Sequence, residues 1–106
     1  MREVDLAAFR VAHRDGAVVI DVRQLFEYVM GHVPGAVLVP MNKLPSRAAE
    51  LPRDEPVYVI CASGNRSLAA ANALAETGID AWSVAGGTGA WSRAGHPIVR
   101  GRRAAA

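Results

Sequence analysis

Cysteine is almost missing from this chain: among 106 residues there is only Cys61. No intramolecular disulfide can form, and a zinc knuckle is excluded. Long hydrophobic runs are missing too. The longest, residues 35–41 and 56–62, are strand-sized and far short of the ~20 residues that cross a bilayer. Charge of one sign is scarce: the net charge is +2 and falls to −1 once Arg100, Arg102 and Arg103 are set aside. That slight basicity belongs to the C-terminal end and is no footprint for nucleic acid. Lysine occurs once against eleven arginines, which reads as codon bias. Residues 1–15 carry Arg2, Glu3, Asp5, Arg10, Arg14 and Asp15 with no apolar stretch of the secretory kind. The expectation is a cytoplasmic protein whose lone thiol stays reduced.

What is present is an ordinary globular composition, 51% hydrophobic and 21% charged. The length suits one domain with its own core. We expect that domain over residues 1–100, followed by a short arginine and alanine tail over 101–106 that is frayed. Strand-like and helix-like segments alternate. Residues 4–14 have helical spacing, with Asp5 as N-cap. Val18, Val19 and Ile20 form a β-branched run suited to a strand covered on both faces. Short elements follow: a helix over 24–30, a strand over 36–39, and a weak helix over 41–51 with Pro45 in its first turn. A strand over 56–60 leads to the best helix, 67–77, with Gly78 at C′. A strand over 81–84, a short helix over 88–93 around Trp91 and an extended piece over 97–99 complete the order. This alternation predicts an α/β fold of three layers, a central, mostly parallel sheet of about five strands with helices on both faces. Ligands then bind at the carboxyl ends of strands, which directs attention to residues 21–23, 61–67 and 85–87.

Residues 57–67 carry the chemistry. A buried strand delivers Cys61 to its carboxyl end, and a short loop feeds straight into a helix. With Gly64 between the small polar Ser63 and Asn65, backbone N–H groups can converge into an anion-binding nest. The positive end of the following helix adds to it. A thiol there ionises more readily than a free one. Arg66 can brace the loop or add charge. Ser67 can cap the helix and turn its hydroxyl to the sulfur. A lone buried cysteine is ordinarily a small hydrophobe; the strand end, glycine loop and helix start favour function here.

This segment resembles the active-site loop of the rhodanese-like sulfurtransferases, Cys-x-x-Gly-x-Arg-Ser, through Cys61, Gly64, Arg66 and Ser67. Residues 20–23 (Ile-Asp-Val-Arg), Glu27-Tyr28 and 31–36 (Gly-His-Val-Pro-Gly-Ala) resemble the family's upstream signature. Gly86-Gly87, Trp91 and residues 95–98 resemble its C-terminal pattern. Together the three motifs span residues 18–98. The resemblance implies that Cys61 attacks a sulfane sulfur, as in thiosulfate, and holds it as a persulfide. A thiol, a protein thiol or cyanide then takes it in a second half-reaction. Ala62, Ser63, Gly64, Asn65, Arg66 and Ser67 would form the substrate cradle, and Asp21, Arg23, Glu27 and His32 would support the pocket. No cofactor is implied, and the protein would be a monomer or homodimer.

The resemblance also places the neighbours. Related cysteine phosphatases carry one more residue than the four that separate Cys61 from Arg66, so a phosphatase or arsenate reductase is disfavoured. Many thiosulfate-active relatives have a basic or polar residue after the cysteine; here it is Ala62, which leaves the preferred donor open. A sulfur-relay or protein-interaction module with little small-molecule turnover is the main alternative.

The remaining residues have plainer readings. Arg23 and Glu27 could pair at i, i+4. His32 reads as a hydrogen-bonded turn residue, since sulfur transfer needs no strong base. His13 and His96 read as surface residues, and three scattered histidines make no metal site. Gly86-Gly87-Thr88-Gly89 lacks the spacing of a dinucleotide fingerprint and reads as a turn passing close to the Cys61 loop. Trp82 and Trp91 read as core or rim packing.

Overall fold

The computed structural model describes residues 2–105. The chain forms β1 (Glu3–Val4), α1 (Leu6–Arg14), β2 (Val18–Asp21), α2 (Leu25–Met30), β3 (Val37–Leu38), α3 (Leu44–Arg47), β4 (Val57–Ile60), α4 (Asn65–Glu76), β5 (Ala81–Val84) and α5 (Gly87–Arg93). The sheet has the strand order β1-β5-β4-β2-β3. Every pairing in it is parallel.

Local chemistry explains the boundaries. The Asp5 carboxylate accepts the Ala8 N–H at 2.8 Å and opens α1, a cap worth about 1 kcal/mol. The weak helix expected over 41–51 is broken into three pieces: α3 lies between 3₁₀ turns Met41–Lys43 and Ala48–Glu50. Pro45 has no N–H to offer the Met41 carbonyl, so an α-helical ladder cannot run through that turn. The chain tightens instead, and the Leu44 N–H meets Met41 O. β1 leaves no signal in the sequence, because two residues are too few to show a period.

The β-branched strands are covered on both faces, as their continuous apolar character requires. Ile20, Val57 and Val59 pack with Leu44 of α3 and with Ala70, Ala71 and Leu74 of α4. Val19, Ile60 and Val84 pack with Phe9 of α1 and Trp91 of α5 on the other side. His13 and His96, expected at the surface, are half-buried around that second cluster. The His13 ring lies 5.0 Å and the His96 ring 4.6 Å from Trp91.

Within the tail expected to fray, residues 101 and 104 are hydrogen-bonded to the domain, and Ala106 lies outside the described residues. His32 and Val99 exchange two backbone hydrogen bonds of 2.9 Å, and the Gly101 N–H donates to Val29 O at 2.9 Å. The Gly35 N–H reaches Ala104 O at 2.8 Å. These anchors hold residues 99–104 against the end of α2.

Two connections leave the sheet centre in opposite directions. β2 leads by α2 to β3 on one side, and β4 leads by α4 to β5 on the other. Their carboxyl ends adjoin, with Asp21 in register with Ile60. Such a switch point is where open parallel sheets form ligand crevices. Cys61 follows Ile60 directly.

Candidate active site

The loop from Cys61 to Gly64 turns its amides inward. The Cys61 sulfur accepts the Gly64 N–H at 3.1 Å and the Ser67 N–H at 3.3 Å. The Ser67 hydroxyl lies 3.3 Å from the same sulfur. Gly64 has φ +106°, a left-handed conformation that admits glycine most readily. It is the N-cap of α4, which starts at Asn65. Ser67 is therefore not the cap expected from sequence but a first-turn residue, and its unpaired helical N–H points at the sulfur.

Burial pushes the Cys61 thiol up, but hydrogen bonds from the Ser67 hydroxyl and the N–H groups of Ser67, Gly64 and Ser63 outweigh it. The net result is a pKa below the ordinary thiol value. The site stabilises a thiolate with donors rather than with a neighbouring base. Cys61 is only 1% exposed.

A third serine completes this arrangement. Ser83 of β5 is fully buried, and its hydroxyl stands 2.8 Å from that of Ser67. Nothing in the sequence motifs marked Ser83.

The turn after β5 supports the loop from below. Thr88 N–H donates to Cys61 O at 2.8 Å and Gly89 N–H to Ala62 O at 3.0 Å. A Cβ on Gly87 would stand 2.5 Å from Cys61 O and 2.8 Å from Ala62 O. The close backbone approach expected of this glycine turn is therefore present.

The flanking charges pair differently from the i, i+4 expectation. Arg66 and Glu27 form a bidentate pair, with both N–O distances 2.8 Å. The hydrogen-bonded Arg66 guanidinium outweighs burial, which pushes the Glu27 carboxyl up, and with the Gln24 N–H holds it at about 2. Arg23 precedes α2 rather than lying on it, and turns back to Asp21. Its Nε and Nη2 donate to the Asp21 carboxylate at 2.9 Å and 2.8 Å, and Nη2 also donates to Gly31 O. Asp21 is fully buried. His32 is buried and stacked on Tyr28 at 3.6 Å. Its ring nitrogens face the carbonyl oxygens of Tyr28 and Arg103 at 2.8 Å and 2.7 Å. The geometry gives His32 a bracing position, with neither nitrogen on the sulfur. Ala62 and Asn65 place no side chain in hydrogen bond with the sulfur; Ala62 instead lines an adjoining cavity.

A thiol cradled by backbone amides at the switch point of a parallel sheet defines a domain built around one ionisable cysteine. Comparison with known proteins gives the family. The Rhodanese-like domain model matches residues 7–94, and the chain belongs to that family. The chain is similar to a protein named "Sulfurtransferase" from Allochromatium vinosum, with 36% identity over 85% of each chain. It is also 37% identical to the "Putative sulfur carrier protein YrkF" of Bacillus subtilis, over 72% of this chain and 42% of that one. A rhodanese-related protein from Thermoplasma volcanium shares the fold with a TM-score of 0.87 and 33% identity, covering 93% of this chain and 98% of its own.

Proposed function

We propose that the protein is a sulfurtransferase that works through a Cys61 persulfide. The observation that carries this reading is the placement of the Gly64 and Ser67 N–H groups and the Ser67 hydroxyl on one sulfur. The Cys61 thiolate attacks the outer sulfur of a sulfane donor such as thiosulfate. The donor's S–S bond breaks, and sulfite leaves with the electron pair. An acceptor thiolate or cyanide then attacks the sulfur held on Cys61 and releases the Cys61 thiolate. Both half-reactions move charge from sulfur to sulfur, so fixed donors serve better than a general base. With one cysteine in the chain, a persulfide has no internal thiol to attack it, and the acceptor comes from outside. The reducing cytoplasm suits such a free thiol.

A sulfur-relay role is the second reading. Ala62 supplies no side-chain charge for thiosulfate, and one relative is named a putative sulfur carrier. A relay loads sulfur but passes it slowly to small acceptors and faster to a particular protein thiol.

The test is intact-protein mass spectrometry after mixing with thiosulfate, beside Cys61→Ser. A gain of one sulfur, reversed by cyanide and absent from the variant, supports the reading. A wild-type protein that takes no sulfur from any sulfane donor overturns it.

A further inference from the structure

His32 stands between the body of the domain and the C-terminal strap formed by residues 99–104. Its Nδ1 faces Tyr28 O at 2.8 Å and its Nε2 faces Arg103 O at 2.7 Å. Both partners are carbonyl oxygens, which only accept. A neutral imidazole has one N–H and one bare nitrogen, so it satisfies one carbonyl and turns a lone pair on the other. Only the imidazolium donates to both. The residue is fully buried, so bulk solvent cannot relieve the mismatch. A second observation points the same way. The ring is stacked on Tyr28, with centroids 3.6 Å apart and planes 5° from parallel, where an aromatic face attracts a cation.

The charged and titratable groups around the ring are matched or screened. On α2, burial pushes the Tyr28 phenol up, so it stays neutral, and its hydroxyl donates to Ala36 O. Glu27 is taken by Arg66. Arg23 donates to Gly31 O next to His32, but its charge is met by the Asp21 carboxylate. From α1, His13 turns Nε2 to Pro34 O at 2.7 Å, a single acceptor that a neutral ring satisfies. On the strap itself, Arg100, Arg102 and Arg103 are exposed, and solvent and salt screen them.

We propose that His32 is a proton-operated clasp on the C-terminal strap. Protonated, it donates to Tyr28 O and Arg103 O together, and the strap is closed. Deprotonated, it keeps one N–H, and one of the two contacts becomes lone pair against lone pair. Tyr28 O is fixed by α2, whereas Arg103 lies in the exposed tail, so the tail gives way. The lost contact sits between two other anchors, Gly101 N–H on Val29 O and Gly35 N–H on Ala104 O, and both loosen with it. The backbone pair of His32 and Val99 remains, so the strap swings on Val99. The same strap carries Arg100 into the wall of a cavity of about 310 Å³ beside Ala62. The proton on His32 thus sets how firmly that wall stands, without touching the sulfur.

The experiment is NMR on the whole, isotope-labelled wild-type chain, titrated over the pH range in which the domain stays folded. Ring nitrogen shifts report the protons on Nδ1 and Nε2 of each histidine. Amide exchange, expressed as protection factors, reports the strap. Both His32 nitrogens should carry protons wherever the Gly35 and Gly101 amides are protected. As His32 loses its proton, the protection of those two amides should fall about tenfold, the scale of one hydrogen bond to a charged group. The amides of β4 should keep theirs. In His13→Gln the same dependence should remain. A bare nitrogen on His32 while the strap amides are protected overturns the proposal. So does a ring that stays doubly protonated until the domain unfolds, because the clasp then never opens. Strap protection that ignores His32, that falls together with β4, or that loses its pH dependence in His13→Gln overturns it as well.

Discussion

The hydroxyls of Ser67 and Ser83 stand 2.8 Å apart in the fully buried space beneath the Cys61 sulfur. Ser83 Oγ also lies 3.5 Å from Gly64 O. When Cys61 is a thiol, its proton can rest toward Ser67 while the Ser67 hydroxyl donates to Ser83. When it is a thiolate, Ser67 must donate to sulfur and needs a donor for its own oxygen. Ser83 can supply one. The two serines thus form a reversible chain that follows the charge on sulfur.

Ser83→Ala should therefore weaken the thiolate without touching it. The pH profile of iodoacetamide alkylation should move toward higher pH. Ser67→Ala should move it further, with the alkylation rate at neutral pH falling about tenfold, the scale of one hydrogen bond to a charged group. A profile in Ser83→Ala identical to wild type would show that Ser67 needs no such partner.

The Glu27–Arg66 pair makes an acid-sensitive contribution to stability. The Glu27 carboxyl is lowered from 4.5 to about 2 in the fold. A depressed carboxylate contributes fully above its unfolded value and loses that contribution as pH falls through the folded one. The stability gap between wild type and Glu27→Gln should be constant above about pH 5 and close between 4.5 and 2. Arg66 is 40% exposed, so solvent screening keeps the gap under about 1 kcal/mol. Urea unfolding at several pH values measures it.

Gly87→Ala should damage the cradle from outside it. Its Cβ would collide with Cys61 O at 2.5 Å, and φ is +58°. The amide contacts of Thr88 and Gly89 to the loop would be pushed apart. We expect a loss of about 1–3 kcal/mol and slower persulfide formation per folded molecule. Thermal unfolding and single-turnover loading are the two readouts.

His32→Ala should behave in the opposite way. It removes a buried ring stacked on Tyr28 and the brace to Arg103 O, at a cost of about 2–4 kcal/mol. Sulfur loading per folded molecule should stay near wild type. A large loss of loading at full folding would assign His32 to the chemistry after all.

The parallel architecture was legible in the sequence because β-branched runs buried on both faces leave a continuous signal at Val18–Ile20 and Val57–Ile60. The cysteine loop was legible because strand, glycine and helix start are contiguous in the chain. Ser83 was not, since its link to Ser67 crosses between elements. The Arg23–Glu27 pairing failed for a related reason. An i, i+4 pair requires both residues on one helix, and α2 begins at Leu25. Arg23 was then free to fold back on Asp21, and Glu27 to meet a residue far along the chain.

The turn at Gly86–Gly87 has one more consequence. The Thr88 and Gly89 amides that follow it hold the Cys61 and Ala62 carbonyls, so the peptide planes that aim N–H groups at the sulfur are set by the turn leaving the neighbouring strand β5. The orienting entropy is then settled during folding and not at each turnover. Heat should therefore inactivate the thiolate and melt the domain in one transition, with no warm, folded and unreactive state between them.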